Sequence, residues 1–166
     1  MTATTIQVVR LAESLPDDFE ALREEASAES YRFVEGLRGE WLAGHYDGED
    51  ERFVTFAAFH EGELAGIGAL TPDPYDPAPD LLRVRHVYVR PLHRGAGIGR
   101  VLAAALIQQG LDLAPRLSLR AADPRATTFW EANGFQPDTS GTRRSHLLTR
   151  WGRLSAPEPA GCSRGR

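Results

Sequence analysis

The sequence predicts an α/β protein, a mixed sheet flanked by helices, and three observations carry that prediction. Segments of period two and segments of period near 3.6 interleave in the order β-αα-βββ-α-β-α-β. An apolar run at 82–89 passes through a glycine-rich turn directly into the clearest amphipathic helix of the chain, 97–109. The chain shows no internal repeat, and 42% apolar with 25% charged residues over 166 positions is an ordinary globular composition.

The elements follow in order. Ile6–Arg10 (IQVVR) alternates and reads as a first strand. Ser14, Leu15 and Pro16 open a helix with Asp17, Asp18 and Glu20 in its first turn, where carboxylates suit the positive end of the helix dipole. Phe19, Leu22 and Ala26 fall on one face of it. A second helix is expected over 29–42, with Tyr31, Val34, Leu37 and Trp41 at near-helical spacing and Gly36 and Gly39 weakening it. After a polar loop at 44–50, strands at 53–59 and 64–70 are joined by His60-Glu61-Gly62-Glu63, which reads as a hairpin.

Residues 71–80 (TPDPYDPAPD) hold four prolines and cannot be the interior of a strand or helix. The 82–89 strand (LRVRHVYV) follows, and then the helix with Ile98, Val101, Leu102, Ala105 and Leu106 along one stripe. A short strand is expected at 117–121. The next helix is punctuated by Asp123 at the N-cap, Pro124 at the first helical position, Gly134 just past the end and Phe135 beyond it. A last strand is expected at 145–151. Residues 1–154 read as one domain and 155–166 (SAPEPAGCSRGR) as a disordered tail.

Composition excludes several chemistries. All 19 basic residues are arginine, so a Walker-type phosphate loop, a lysine Schiff base and a lysine general base are out of reach. Cys162 is the one cysteine, which leaves no intrachain disulfide, Cys-rich zinc site or CxxC pair and makes a reducing cytoplasm the expected location. No apolar run approaches a membrane span, and Met1 opens onto TATTIQVVR rather than a signal-peptide pattern. The net charge of −4 argues against non-specific nucleic-acid binding. That average conceals a split: residues 1–80 carry 18 Asp/Glu against 5 Arg, and residues 81–166 carry 5 against 14. Either the second half meets an anion, or the two halves attract one another within one fold.

The chemistry concentrates in residues 87–102 (VYVRPLHRGAGIGRVL). Glycines at 95, 97 and 99 remove Cβ atoms where backbone would approach a ligand closely. Free N–H groups at the start of the following helix, with its dipole, form an anion site flanked by Arg94 and Arg100, and a phosphate or pyrophosphate is its natural occupant. A dinucleotide fold is excluded, because Arg100 stands where the third glycine of GxGxxG belongs. The stretch some 20 residues on, Leu117-Ser118-Leu119-Arg120, also lacks an acid.

The segment resembles motif A of the GNAT superfamily of N-acetyltransferases, whose R/Q-x-x-G-x-G/A signature is matched by Arg94, Gly97 and Gly99. Val89, Pro91 and Leu102 also sit where that family has them. Ala126, Phe129, Trp130, Gly134 and Phe135 (ATTFWEANGF) resemble a second family segment. The motif resemblance covers 81–136; over 6–70 it rests on element order.

The resemblance implies a GNAT-like mixed, mostly antiparallel central sheet flanked by helices, with a splayed parallel strand pair formed by 82–89 and 117–121. It implies acetyl-CoA in the opening between those strands, leaving as CoA. The backbone of Val87, Tyr88 and Val89 would pair with the pantetheine arm. Arg94, Gly95, Ala96, Gly97, Ile98, Gly99 and Arg100 would hold the pyrophosphate, with Trp130 against the cofactor or core. The implied reaction is direct attack of a neutral amine on the thioester, with no metal.

The departures from the family pattern concern catalysis. Trp130 stands where the family frequently has a tyrosine that protonates the departing thiolate, and an indole N–H is no proton source at neutral pH. Arg83 and Arg85 occupy the strand positions of the usual acid, and neither is a base. Two readings stand for these arginines: recognition of a carboxylate or phosphate on the acceptor, or salt bridges to the acidic N-terminal helices. The catalytic residues are therefore unassigned, with His86 and Tyr88 as weaker candidates. Strand alternation puts His86 on the other face unless a bulge intervenes. The side chain of Tyr88 reads as core and its backbone as the functional part. Tyr75 among its prolines is a wall over the acceptor or a rigid loop; Glu40 and Trp41 line the same pocket or the core. The expected function is transfer of acetyl from acetyl-CoA to a primary amine of a small molecule or amino-acid-like acceptor. The alternatives are a catalytically weak CoA-binding sensor module, or acetylation of a protein or peptide amine. No nucleic-acid or membrane partner is expected, and the oligomeric state is left open, a homodimer included.

Overall fold

The computed structural model describes residues 3–140 and 143–151; the expected tail at 155–166 and Cys162 lie outside them. The elements are β1 (Ile6–Arg10), α1 (Phe19–Ala28), α2 (Phe33–Leu42), β2 (Val54–His60), β3 (Glu63–Pro72), β4 (Leu81–Val89), α3 (Ile98–Leu113), β5 (Arg116–Leu119), α4 (Pro124–Ala132), β6 (Gln136–Pro137) and β7 (His146–Thr149). They build one seven-stranded sheet in the order β1-β2-β3-β4-β5-β7-β6. Every neighbouring pair is antiparallel except β4 and β5, which run parallel through the α3 crossover.

Several boundaries differ from those expected. The second helix starts at Phe33 rather than 29, because Ser30 adopts a φ of 69° that no continuing helix tolerates. The strand expected at 117–121 is Arg116–Leu119, that at 145–151 shrinks to His146–Thr149, and α3 runs on to Leu113. The two-residue β6 has no period for a sequence pattern to reveal. The hairpin forms as expected, with Glu61 at φ 52° and Gly62 at φ 81° as the two-residue turn whose twist matches the flanking strands.

Two apolar layers sandwich the sheet. On one face α1 and α2 bring Phe19, Leu22, Ala26, Val34 and Leu37 onto Leu64, Ile67, Ala69 and Tyr88. On the other, Ile98, Leu102, Leu106 and Ile107 of α3 and Trp130 and Phe135 of the α4 region meet Leu70, Leu82, Val84 and Leu117. This placement puts α1 and α2 over one side of β4 and the α3 N-terminus over the other.

Candidate active site

The site begins where the parallel pair parts. Leu81, Leu82 and Arg83 pair with Arg116, Leu117 and Ser118, and beyond them β4 runs on to Val89 with no strand partner on that edge among the described residues. A cleft of about 790 Å³ opens there, walled by residues 83–89, the glycine turn and the first turns of α3 and α4. That volume is in the range of small-molecule sites.

A bulge in β4 sets what faces the cleft. Ile67 pairs with Tyr88 and Ala69 with Arg85, so His86 and Val87 together oppose the single residue Gly68. His86 has a φ of 59°. Before the bulge Leu82 and Val84 point toward α3; after it Val87 and Val89 do, and Tyr88 points toward α1 and α2. The extra residue reverses the alternation. His86 therefore does not lie on the face opposite Arg85, as plain alternation would have it. Both side chains reach Glu40 on α2, Arg85 Nη1 at 2.7 Å from Oε1 and His86 Nε2 at 3.0 Å from Oε2. Tyr46 Oη donates to the same Oε2 at 2.7 Å. Gly36, one turn earlier on α2, makes room for the imidazole: a Cβ there would stand 3.4 Å from its Cε1.

The glycine turn forms the opposite wall. Gly95 and Gly97 have φ of 83° and 85°, a region that L side chains rarely adopt. Gly97 is the N-cap of α3, and no side chain caps that helix, so its first-turn N–H donors lack the side-chain acceptor that Asp123 supplies at α4. Gly95, Gly97, Ile98, Gly99 and Arg100 line the cleft, as do Val87, Tyr88 and Val89; Ala96 does not. Arg94, expected at the phosphates, is engaged by Glu29, whose two oxygens accept from Nη1 and Nη2 at 2.9 and 2.6 Å, and it lies over the Tyr88 ring. Arg100, Arg120 and Arg125 line the cleft with no ion-pair partner among the described residues.

The remaining candidates separate. Arg83 does not bridge to the N-terminal helices: it pairs with Asp73, a fully buried carboxylate from the end of β3, and donates to the Arg143 carbonyl at 2.7 Å. Ser118 and the Tyr75 amide complete the bonds to Asp73. Arg85 does bridge to a helix, through Glu40. Tyr75 is not part of the cleft wall and sits between the guanidiniums of Arg83 and Arg143, 5.1 and 5.0 Å from its ring. Trp130 lines the cleft but is 6% exposed, packed edge-on between Phe129 and Phe135. The Tyr88 ring is core, and its hydroxyl donates to Glu29 at 2.5 Å. Trp41 stacks on Tyr46.

Sequence reasoning did not place Tyr31 at the cleft. Tyr31, in the connector between α1 and α2, lines the cleft and donates to Asp123 Oδ2 at 2.9 Å. Its 92-residue separation from Asp123 leaves no local signal.

Electrostatics follow from these bonds. Burial alone would raise the Glu40 carboxyl, but the bonds and charges of His86, Tyr46 and Arg85 outweigh it and hold it down to about 2. The Arg94 bond, aided by Tyr88, lowers Glu29. Asp123 is lowered by the Ala126 amide it caps and by Tyr31, and Tyr31 is raised in turn by that carboxylate. Among the described residues no cluster of three or more His, Cys, Asp or Glu could hold a metal ion, and no helix is long and apolar enough to cross a membrane.

The cleft thus lies between the splayed parallel strands and the glycine-entered start of α3 in a mixed α/β sheet, and comparison with known proteins assigns that fold to a family. The profile of the acetyltransferase (GNAT) family matches residues 10–135. No curated protein matches the sequence. The structure is similar to one from Exiguobacterium sp. 255-15, at a TM-score of 0.80 and 21% identity over 93% of this chain and 99% of that one. It is also similar to the ribosomal-protein-S18-alanine N-acetyltransferase of Escherichia coli, at 0.60 and 18% over 87% and 94%. The yncA protein of Salmonella typhimurium, solved with its cofactor acetyl-CoA, aligns at 0.64 and 15% over 90% and 95%. The chain belongs to the acetyltransferase (GNAT) family. It is an acyl-CoA N-acetyltransferase whose acetyl donor is acetyl-CoA.

Proposed function

We propose that this chain transfers the acetyl group of acetyl-CoA to the primary amine of a small molecule or amino-acid-like acceptor. The observation that carries the reading is the unpaired edge of β4 beyond Arg83, facing the uncapped N-terminus of α3 across the cleft. An extended amide-bearing arm fits such an edge as an added strand, and a pyrophosphate fits the glycine turn. Acetyl-CoA supplies the activated thioester, and the chain's residues bind, orient and move protons around it.

The backbone of Val87, Tyr88 and Val89 would hold the arm, and the turn from Gly95 to Arg100 the pyrophosphate. Arg94 would take part only by sharing its guanidinium with Glu29. The free cations Arg100, Arg120 and Arg125 offer further charge to the donor's phosphates. At the other end of the cleft Arg83 and Arg85 are neutralised by Asp73 and Glu40, which supports an acceptor that need not carry an anion. Among cleft-lining groups His86 is the candidate proton acceptor, because the bulge turns it toward the α2 side.

A thiol-release assay with acetyl-CoA and the probe amines tyramine, putrescine and glycinamide tests the reading. Release above the amine-free rate supports it. Saturable acetyl-CoA binding without release from any amine overturns it in favour of a CoA-binding module, and release only with basic peptides redirects it to a peptide amine.

A further inference from the structure

We propose that Glu40 is a positioning residue for His86: it holds the imidazole as the Nε2–H tautomer and leaves the Nδ1 lone pair for a proton of the acceptor amine. The inference rests on the amine-acetylating reading above.

Both Glu40 oxygens are committed as acceptors. Oε1 takes Arg85 Nη1 at 2.7 Å, and Oε2 takes Tyr46 Oη at 2.7 Å and His86 Nε2 at 3.0 Å. An ionised carboxylate is an acceptor only, so Nε2 carries the hydrogen in that bond. The neutral ring then has its lone pair on Nδ1, and Nδ1 is buried with no hydrogen-bond partner among the described residues. Few buried polar atoms are left this way, since a hydrogen bond left unmade in the interior is costly. His86 is itself 7% exposed and in the left-handed region at the bulge, on the wall of the cleft. Strained backbone and an unsatisfied ring nitrogen at the same residue point to a site of use rather than to packing.

The proton step balances without any further reactant. Nδ1 is closed to solvent in the free protein, so acceptor binding must first open that ring edge to the amine or to one water; the acceptor's N–H bond then breaks as the Nδ1–H bond forms. The positive charge passes from the ammonium to the imidazolium, leaving a neutral amine able to attack. The charged groups facing His86 are Glu40 from α2 and its β4 neighbour Arg85, with the titratable Tyr46 hydroxyl from the connector after α2. Arg85 offsets part of Glu40's charge, so the carboxylate orients the ring without permanently pairing it.

Histidine ¹⁵N NMR reads the tautomer directly, with the His86 signals identified by their loss in His86→Gln. The expected result is the Nε2–H form in the neutral wild-type protein. In Glu40→Gln, which keeps the shape but offers Nε2 either an amide oxygen or an amide N–H, the single tautomer is expected to give way to a mixture of the two forms. With an amine that the wild type acetylates, the variant's kcat should fall about tenfold with KM for acetyl-CoA within about twofold. An Nδ1–H tautomer in the wild type, a measurement that needs no stable Glu40 variant, overturns the proposal. So does a single, unchanged Nε2–H tautomer in Glu40→Gln. Absence of thiol release from every probe amine counts against the amine-acetylating reading, while the tautomer result decides the role of Glu40.

Discussion

Tyr31 donates to Asp123 at 2.9 Å, and this bond ties the connector between α1 and α2 to the start of α4. Tyr31 packs on Tyr88 of β4, and Asp123 caps α4 on the far side through the Ala126 amide at 2.8 Å. The connector between α1 and α2 is thereby a strap across the splayed strands. It is anchored at its other end by Glu29 on Tyr88 and Arg94.

Tyr31→Phe keeps the ring contacts and removes the bond. A half-buried bond to a carboxylate contributes about 1 kcal/mol, so Tm should fall by roughly 2–4 °C. If the strap retards cofactor exchange, stopped-flow dissociation of acetyl-CoA should become severalfold faster. The same loss of Tm with an unchanged off-rate would leave the bond a purely structural one.

Gly97→Val tests the turn. A Cβ at Gly97 meets no protein atom within 4 Å, so the new side chain would occupy the cleft. At a φ of 85° it also carries backbone strain of about 1–2 kcal/mol. Gly62→Val, at φ 81° in the β2–β3 hairpin with equally open surroundings, controls for that strain. Acetyl-CoA affinity by calorimetry should drop about tenfold or more in Gly97→Val and stay unchanged in Gly62→Val (about 1.4 kcal/mol between them). Equal affinities would place the phosphates elsewhere.

Acid stability should report Glu40. Its carboxyl lies at about 2 in the folded protein against an ordinary 4.5. A depressed carboxyl adds stability that is fully present above the unfolded value and is lost as pH falls toward the folded one. Denaturant titrations should therefore show wild type more stable than Glu40→Gln above about pH 5, with the gap closing between pH 4.5 and about 2. A gap independent of pH would mean that packing, not charge, supplies the difference.

Trp130→Tyr restores the side chain frequent in the family. Because Trp130 fills a buried slot between Phe129 and Phe135, the smaller ring should cost about 1–2 kcal/mol through incomplete packing. We expect a lower Tm and no gain in kcat. A clear rise in kcat would show instead that proton delivery to the thiolate limits turnover in the natural chain.

The parts of this protein legible in the sequence are those that neighbouring residues decide. The stripe from Ile98 to Leu106, the Asp123-Pro124 start of α4 and the Glu61-Gly62 turn carry their geometry in a few adjacent side chains. The glycine turn was legible for the same reason, since its φ values are a property of glycine itself. The partners of the arginines were not. Arg83 finds Asp73, Arg85 finds Glu40 and Arg94 finds Glu29, each chosen by which strand edge or helix face the fold brings near.

His86 shows the division most sharply. Its identity and its place one residue after Arg85 are in the sequence, but alternation sends the two to opposite faces. The bulge that sends both to Glu40 arises only when β4 must keep register with β3 on either side of Gly68. Local propensity thus determined the elements and the glycine turn. Long-range pairing, whose energy depends on chain segments far apart in sequence, decided which charges are spent on one another and which face the cleft.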